Sequence, residues 1–393
     1  MNFRIFNILT AILLSMSAFS QKASDSLSTY QGQNLLQING YQRILQNLEA
    51  VPNGMTFGGY AEVLYNQPES ANGEIDVQRL ILLFGYKFDD RTQFVTEVEF
   101  EHVKEVYIEQ AFVNYALSNS LNVRAGLMLV PMGIINEYHE PTTFNGVERP
   151  SMDNKLVPTT WREIGMGLSG RSDALSLRYQ AYIFNGFLSH NGSGGLIKGS
   201  NGFRSGRQKG AESVFRTPNL SMKLDFYGVN GLRLGLSGYF GKTQAANEVF
   251  DTSGSTVGMS MLGLDARYSY RRFTARGQYI TSSIKDAFQY NQLTSKDLAS
   301  SMAGYYIESA YNLLPITNRQ RLFAFVRYEN FDTHKSVPSN VVQNPSFHRK
   351  EITTGLSYHL APGAVFKIDY QNKSTAIVDS NKGQINMGVG VWF

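Results

Sequence analysis

From residue 55 to its end the chain alternates apolar and polar residues with a period of two, a pattern that few architectures accept. Leu220 to Phe226 reads Leu-Ser-Met-Lys-Leu-Asp-Phe, Leu262 to Tyr268 reads Leu-Gly-Leu-Asp-Ala-Arg-Tyr, and Phe366 to Tyr370 reads Phe-Lys-Ile-Asp-Tyr. Successive side chains of a strand point to opposite faces, so in each stretch the charges share one face and the hydrophobes the other. Sixteen such segments are predicted, near 55–66, 74–88, 92–102, 104–117, 121–130, 160–170, 174–185, 218–227, 231–241, 257–270, 272–283, 299–313, 321–331, 349–360, 363–375 and 384–393. The links between them sort by parity. Even-numbered segments mostly end in tight turns such as Asp89-Asp90-Arg91, Ser118-Asn119-Ser120 and Ala361-Pro362-Gly363, rich in turn-forming residues, while the twelfth is followed by a somewhat longer link containing Pro315. The long links, 131–159, 186–217, 242–256, 284–298 and 332–348, follow odd-numbered segments. This is the expectation for an all-β fold, a transmembrane antiparallel β-barrel of about 16 strands with short periplasmic turns, long extracellular loops and both termini on the short side. A soluble sandwich has no reason to sort its loops by parity.

Composition agrees with that class. Charged residues make up 17% of the chain and aromatics 12%, where a soluble domain carries roughly 25% charged residues. A mean hydropathy of −0.24 is too polar for a bundle of membrane helices. After residue 20 no apolar run approaches the ~18 residues of a spanning helix. A net charge of +4, with no basic cluster interleaved with aromatics, gives no reason to expect nucleic acid as a partner. The absence of Cys excludes disulfides, thiolate catalysis and Cys-bound zinc together.

The first 20 residues read as a secretory signal peptide: Arg4 near the start, an apolar stretch from Ile5 to Met16, and Ala18-Phe19-Ser20 at the cleavage site. Its removal takes away Arg4 and leaves a charge of +3. Export then leads to the outer membrane of a Gram-negative cell, with lipid around the barrel. In residues 21–54, Leu35, Leu36, Ile38, Tyr41, Ile44, Leu45 and Leu48 fall at helical spacing, interrupted by Gly40 and ended by Pro52-Asn53-Gly54. A short periplasmic helix and a plain linker are both open readings. The barrel itself occupies 55–393. Aromatic pairs near segment ends, among them Tyr60 and Tyr65, Tyr86 and Phe88, Tyr107 and Tyr115, and Tyr268 and Tyr270, suit girdles at the two membrane interfaces. The last segment alternates to a terminal Phe393, which resembles the signal read by the barrel-assembly machinery.

Chemistry-bearing motifs are weak. Gly165-Met-Gly-Leu-Ser-Gly170 has dinucleotide-type spacing but is followed by a turn and a strand instead of a helix. No nucleophile elbow occurs and the six histidines are scattered, so no catalytic residue, cofactor or metal is assigned and the chain is not read as an enzyme. Glu137, His139 and Glu140 could hold a divalent ion, but ordinary loop polarity is the simpler account. The face opposite each apolar stripe predicts an interior lined by Arg79, Lys87, Arg124, Arg178, Lys223, Arg233, Arg267, Arg276, Arg327 and Lys367. Against them stand Glu97, Glu99, Glu101, Asp225, Asp265, Glu308, Glu329 and Asp369. In the fourth segment either parity of Tyr107–Tyr115 sends a polar residue outward. Loop 131–159 opens with the redirecting Pro131-Met132-Gly133 and carries Glu137, His139, Glu140, Glu148 and Arg149, which makes it the candidate constriction. Loop 186–217, with Arg204, Arg207, Lys209 and Arg216, reads as either a basic funnel or an external loop.

Leu127-Met-Leu-Val-Pro-Met-Gly133, Asn136-Glu-Tyr-His-Glu-Pro141, Val147-Glu-Arg-Pro150 and Pro158-Thr-Thr-Trp-Arg-Glu-Ile-Gly165 resemble the fifth strand and third loop of the phosphate-selective porin O and P family, in its Bacteroidetes-type form. Val77-Gln-Arg-Leu80 and Ile108-Glu-Gln-Ala-Phe-Val-Asn-Tyr115 are also similar. The resemblance implies a sixteen-stranded barrel, a homotrimer, passing small polar or anionic solutes, phosphate being one such solute. The family's arginine ladder is not matched by a dominantly basic interior here, so no phosphate site is carried over. A barrel plugged by its loops and residues 21–54, serving as a binding, adhesion or partner platform, is the alternative.

Overall fold

The computed structural model describes residues 39–393; the expected signal peptide and residues 21–38 lie outside the described residues. Sixteen antiparallel strands close into a barrel. The first half comprises β1 (Gly54–Pro68), β2 (Glu74–Lys87), β3 (Thr92–Glu101), β4 (Glu105–Ser118), β5 (Leu121–Leu129), β6 (Arg162–Ser172), β7 (Leu177–Phe184) and, after a two-part loop containing the short β8 (Leu188–His190), β9 (Asn219–Val229). The second half comprises β10 (Leu232–Lys242), then, past the short β11 (Gln244–Ala245), β12 (Gly258–Tyr270), β13 (Phe273–Lys285), β14 (Ser301–Asn312), β15 (Arg321–Ser336), β16 (His348–Ala361), β17 (Ala364–Thr375) and β18 (Lys382–Trp392). Each barrel strand pairs with its sequence neighbours in the ring, and β18 returns to β1 with Tyr60 opposite Trp392. The stubs β8 and β11 form a parallel pair between two long loops.

The burial pattern is inverted relative to a soluble protein. On β9, Asn219, Ser221, Lys223 and Asp225 are buried while Leu220, Met222 and Leu224 are about 40% exposed. Such a strand is stable only where the outside is hydrocarbon. Tyr86, Phe88, Tyr115, Tyr268, Tyr270 and Tyr311 stand on the outer surface near strand ends. Tyr60 and Tyr107, expected beside them, face inward: Tyr60 is fully buried and Tyr107 lies under Lys209 and Arg162.

The parity conflict on β4 has a structural cause. Glu97 pairs with Gln110 but Val98 pairs with Ile108, so one extra residue is accommodated at Glu109. Such a bulge shifts the alternation by one. Glu109 and Gln110 both point inward and are buried, and apolar Ile108 and Val113 face the membrane on either side.

Helix α1 (Gly40–Glu49) sits inside the barrel at the periplasmic end, against the wall formed by the first strands. Asn39 caps it, its side chain accepting from the Gln42 N–H at 3.0 Å. Gly40, expected to interrupt a helix, begins it. Ile44 and Leu48 are buried, each contributing about 1.5–3 kcal/mol of apolar burial. Room for them exists because Gly85 has no side chain; a Cβ there would stand 2.4 Å from Ile44 Cγ2 and 2.9 Å from Leu48 Cδ1. Helices α2 (Met152–Lys155) and α3 (Ala287–Thr294) lie in long loops.

Gly85→Val is expected to displace α1 without opening the barrel. Arg43 lies 4.7 Å over Trp392, and Gly40 packs on the same ring. In a Trp161→Phe background, Trp392 fluorescence should shift to the red and become quenchable by iodide. Unchanged emission from a folded variant would show that the helix is not held by this contact.

Candidate functional site

The interior of the barrel is occupied by the connection between β5 and β6. Gly133 adopts a left-handed conformation (φ +66°) that turns this chain inward, and nearly every residue from Val130 to Trp161 is buried. From there the loop crosses the lumen and engages one wall strand after another. The Gly133 carbonyl accepts from Lys223 Nζ at 2.6 Å, and the Ile134 N–H donates to Gln278 Oε1 at 2.6 Å. Glu137 pairs with Lys223 at 2.8 Å and accepts from Gln180 at 2.9 Å. Arg233 donates to the Tyr138 hydroxyl at 2.8 Å, Arg276 to the Thr143 carbonyl at 3.1 Å, and Lys367 to the Phe144 and Gly146 carbonyls at 2.8 Å. On the far wall, Val147 N–H donates to Asp369 at 2.6 Å and Met152 N–H to Glu329 at 3.0 Å. Arg327 reaches the Glu148 carbonyl at 3.3 Å while pairing with Glu329 at 2.9 Å and Glu308 at 3.5 Å.

Other inward residues are paired along the wall. Arg79 bridges Glu62 at 2.7 Å and Glu99 at 3.3 Å. Lys87 reaches the Val51 carbonyl at 3.1 Å beneath α1. Arg124 donates to Asn114 at 2.9 Å and lies over the Tyr41 ring, and Arg178 stands opposite Asp225 in the β7–β9 ladder. Glu97 accepts from Tyr60 and Gln110. Glu101, at the extracellular end opposite Glu105, is only half-buried. Within the loop, Glu140 accepts from the Gly40 N–H, Arg149 donates to the His139 carbonyl at 2.8 Å, and Glu148 accepts from Asn66 at 2.8 Å.

Two arrangements depend on register and loop path. Arg233 pairs with Arg267 across β10 and β12, and Arg267 with Arg276 across β12 and β13, so three guanidiniums share one rung. Arg233 and Arg267 lie over the Tyr138 ring at 5.7 and 4.4 Å. A cavity of about 40 Å³ adjoins the rung, lined by Arg267, Arg276, Thr143 and Glu308. The second arrangement is the extracellular mouth. Loop 185–218 folds over it, pinned by Phe187 stacked on Trp161 at 4.4 Å and on Phe203 at 5.3 Å. Arg204 and Arg207 donate to the Thr159 carbonyl at 2.6 and 2.8 Å, Lys155 to Asn201 at 2.7 Å, and Arg349 to the Ser200 carbonyl at 3.1 Å. Lys209 stands 4.5 Å over Tyr107.

These five cations donate to no carboxylate: among the described residues none forms an ion pair within 4.0 Å. Burial lowers the Lys155 pKa to about 8, aided by the positive charges of Arg349 and Arg204. Burial also lowers Arg204, aided by the positive charge of Arg149, and Arg207, crowded by Arg204 and Arg162. Arg349 and Arg162, at strand starts, and Glu109, on the bulge, were not among the residues expected inside. The broken parity of β4 was the sequence signal for Glu109; the two arginines had none.

Residues 54–370 match the family model described as phosphate-selective porin O and P. The chain belongs to this family. An uncharacterized protein of Aquifex aeolicus (strain VF5) is 34% identical over 338 residues, covering 81% of this chain and 76% of that protein. Among solved structures, the anion-selective porin from Comamonas acidovorans superposes with a TM-score of 0.58 at 10% identity, covering 87% of this chain and 100% of that one. The outer membrane channel DcaP of Acinetobacter baumannii gives 0.56 at 10%, covering 86% and 97%. The loop-L8-deleted OmpT of Vibrio cholerae gives 0.57 at 12%, covering 87% and 100%. At these identities the likeness is one of fold. Family and fold together make the chain an outer-membrane channel protein, and its β5–β6 loop lies within the lumen, bonded to the wall.

Lys223 should be the most sensitive anchor of that loop. Lys223→Met leaves Glu137 buried without its cation, a loss of about 3–5 kcal/mol. The double variant with Glu137→Gln should recover most of it. Unfolding in urea, followed for both single variants and the pair, checks the coupling; additive effects would show that the two groups do not interact.

Proposed function

We propose that this porin passes small anions by passive diffusion, admitting them through the cationic mouth formed by Lys155, Arg204, Arg207, Lys209 and Arg349. The observation that carries this reading is their lack of carboxylate partners in a half-buried setting, where a positive charge attracts small anions more strongly than it does in open water. Below the mouth, the rung of Arg233, Arg267 and Arg276 continues the positive lining, offset by Asp225, Asp265 and Glu308. The mixed wall favours small polar and anionic solutes as a class, phosphate included, over one selected ion. Likeness to an anion-selective porin supports the same direction.

The wider organisation we propose is a chain led across the inner membrane by residues 1–20, with 21–54 a periplasmic-side segment whose helix α1 enters the barrel 55–393. The barrel-assembly machinery would read the last strand, which closes the barrel where Phe393 and Gly59 exchange backbone hydrogen bonds at 2.9 and 3.0 Å. A homotrimer is supported by the similar fold of Vibrio cholerae OmpT, solved in a trimer form. One observation favours the second reading, a plugged barrel: α1 and loop 130–161 meet in the lumen, with Gly40 bonded to Glu140 and Tyr41 to Glu137 at 3.4 Å.

Planar-bilayer recordings under a KCl gradient separate the two. A reversal potential favouring chloride is expected, falling several-fold toward neutrality when Lys155, Arg204 and Arg207 are all changed to Gln. Raising the pH should act in the same direction. A lysine of pKa about 8 is roughly nine-tenths charged at pH 7 and one-tenth at pH 9, whereas guanidiniums keep their charge. Anion preference should therefore decline between pH 7 and 9 in the wild type and not in Lys155→Gln. Cation preference would overturn the anion reading, and silence from verified folded protein would favour the plugged barrel.

A further inference from the structure

Where the tip of the β5–β6 loop meets the wall, three potential ligands converge out of reach of solvent. Glu97 on β3, Glu109 on the β4 bulge and His139 on the loop each place a donor atom within 4.8 Å of the others. All three residues are at most 2% exposed.

The hydrogen bonds around this cluster leave its centre unsatisfied. His139 Nδ1 stands 3.1 Å from the Asn136 carbonyl, which can only accept, so the ring proton sits on Nδ1. That directs the Nε2 lone pair at Glu109 Oε2, 3.4 Å away, and neither atom has a hydrogen-bond partner. Glu109 Oε1 has none either; the nearest cation, Arg162 Nη1, is 3.9 Å from it. Arg79, the other guanidinium nearby, is taken by Glu62 and Glu99. A fully buried carboxylate facing an imidazole lone pair is strongly unfavourable unless a metal ion or a proton lies between them.

We propose that Glu97, Glu109 and His139 bind a divalent first-row transition ion, of which Zn²⁺ is the representative, that fastens the β5–β6 loop to the barrel wall. Two donors on one tetrahedral ion with bonds of about 2.0–2.1 Å stand roughly 3.4 Å apart, the separation found between His139 Nε2 and Glu109 Oε2. A mixed imidazole and carboxylate set suits Zn²⁺, Mn²⁺ or Fe²⁺; Ca²⁺ and Mg²⁺ want oxygen alone. The surrounding contacts are those a metal site uses to orient its ligands. Asn136 fixes the His139 tautomer, while the Tyr60 hydroxyl and Gln110 amide hold the two oxygens of Glu97 at 3.2 and 2.7 Å. The free Oε2 of neighbouring Glu140 adds negative charge. Because two ligands sit on the wall and the third on the loop, the ion is captured as the loop seats and resists its departure. The bulge that brings Glu109 inward thereby has a use: without it, this position would face lipid.

The test uses the full mature barrel, purified folded from outer membranes, stripped with EDTA, reloaded with Zn²⁺, desalted and assayed for metal by mass spectrometry. The expected result is about one equivalent per chain in the wild type, with affinity lowered roughly tenfold or more in Glu109→Gln and in His139→Gln. Folding of each variant is read from heat-modifiable migration on gels. Should neither variant fold, Co²⁺ loading of the wild type decides, since a site with nitrogen and oxygen ligands gives visible d–d absorption. Under a tenth of an equivalent and no Co²⁺ band from folded wild type would overturn the proposal, placing a proton between His139 and Glu109. Equal retention by the wild type and both folded variants would also overturn it.

Discussion

A charged group inside a narrow barrel must find either water or a partner, and in this molecule the β5–β6 loop supplies the partners. Lys223, Arg276, Arg327 and Lys367 hold its backbone carbonyls, while Gln278, Asp369 and Glu329 accept its N–H groups. These bonds link residues far apart in the chain, and each is made in a setting where an unmade bond is expensive. The loop is therefore an interior component of the barrel, and the wall charges serve first to seat it. In the proposed reading, the cations that pair with no carboxylate, those at the extracellular mouth, meet solutes first, and the arginine rung continues the lining below them.

The same reasoning links the periplasmic helix to the pore. Helix α1 shares an apolar core with the loop and with inward residues of the first strands, including Leu83, Phe112 and Tyr60. Its N-terminal Gly40 bonds to Glu140, and its Tyr41 faces both Glu137 and Arg124. Loop and helix thus meet at Glu137 and Glu140, which bracket His139. One junction, near the first four strands, collects the loop tip, the helix and the buried Glu97 and Glu109. The opposite wall, from β10 to β13, presents the arginine rung and the small cavity. This asymmetry places the packed side of the lumen against β1–β4 and the more polar side across from it.

Strand positions and facing were legible from the chain because membrane and lumen impose opposite solvents on alternate residues, and because turn length follows parity. The Leu220–Phe226 alternation leaves Lys223 and Asp225 nowhere to go but inward. The β4 segment failed that test for a definite reason: a bulge reverses parity midway, and only the partner strand reveals where. Tyr60 and Tyr107 look like interface aromatics by position, but their hydroxyls and ring faces meet interior charges. What the loop would bind was hidden, since Glu137 and Lys223 are 86 residues apart and nothing in either neighbourhood encodes the other. The mouth was half visible. Arg204, Arg207 and Lys209 stood out as a basic loop, whereas Arg349 joins them through the register of β16 alone.

The central claim is that the β5–β6 loop is an interior element bonded to the wall, and hydrogen exchange of the intact wild-type protein, resolved by mass spectrometry across residues 130–161, tests it most directly. The account predicts that the amides of Ile134, Val147 and Met152, each donating to a wall side chain, exchange as slowly as those of the barrel strands. Their exchange at the rate of an exposed external loop such as 246–254 would contradict it.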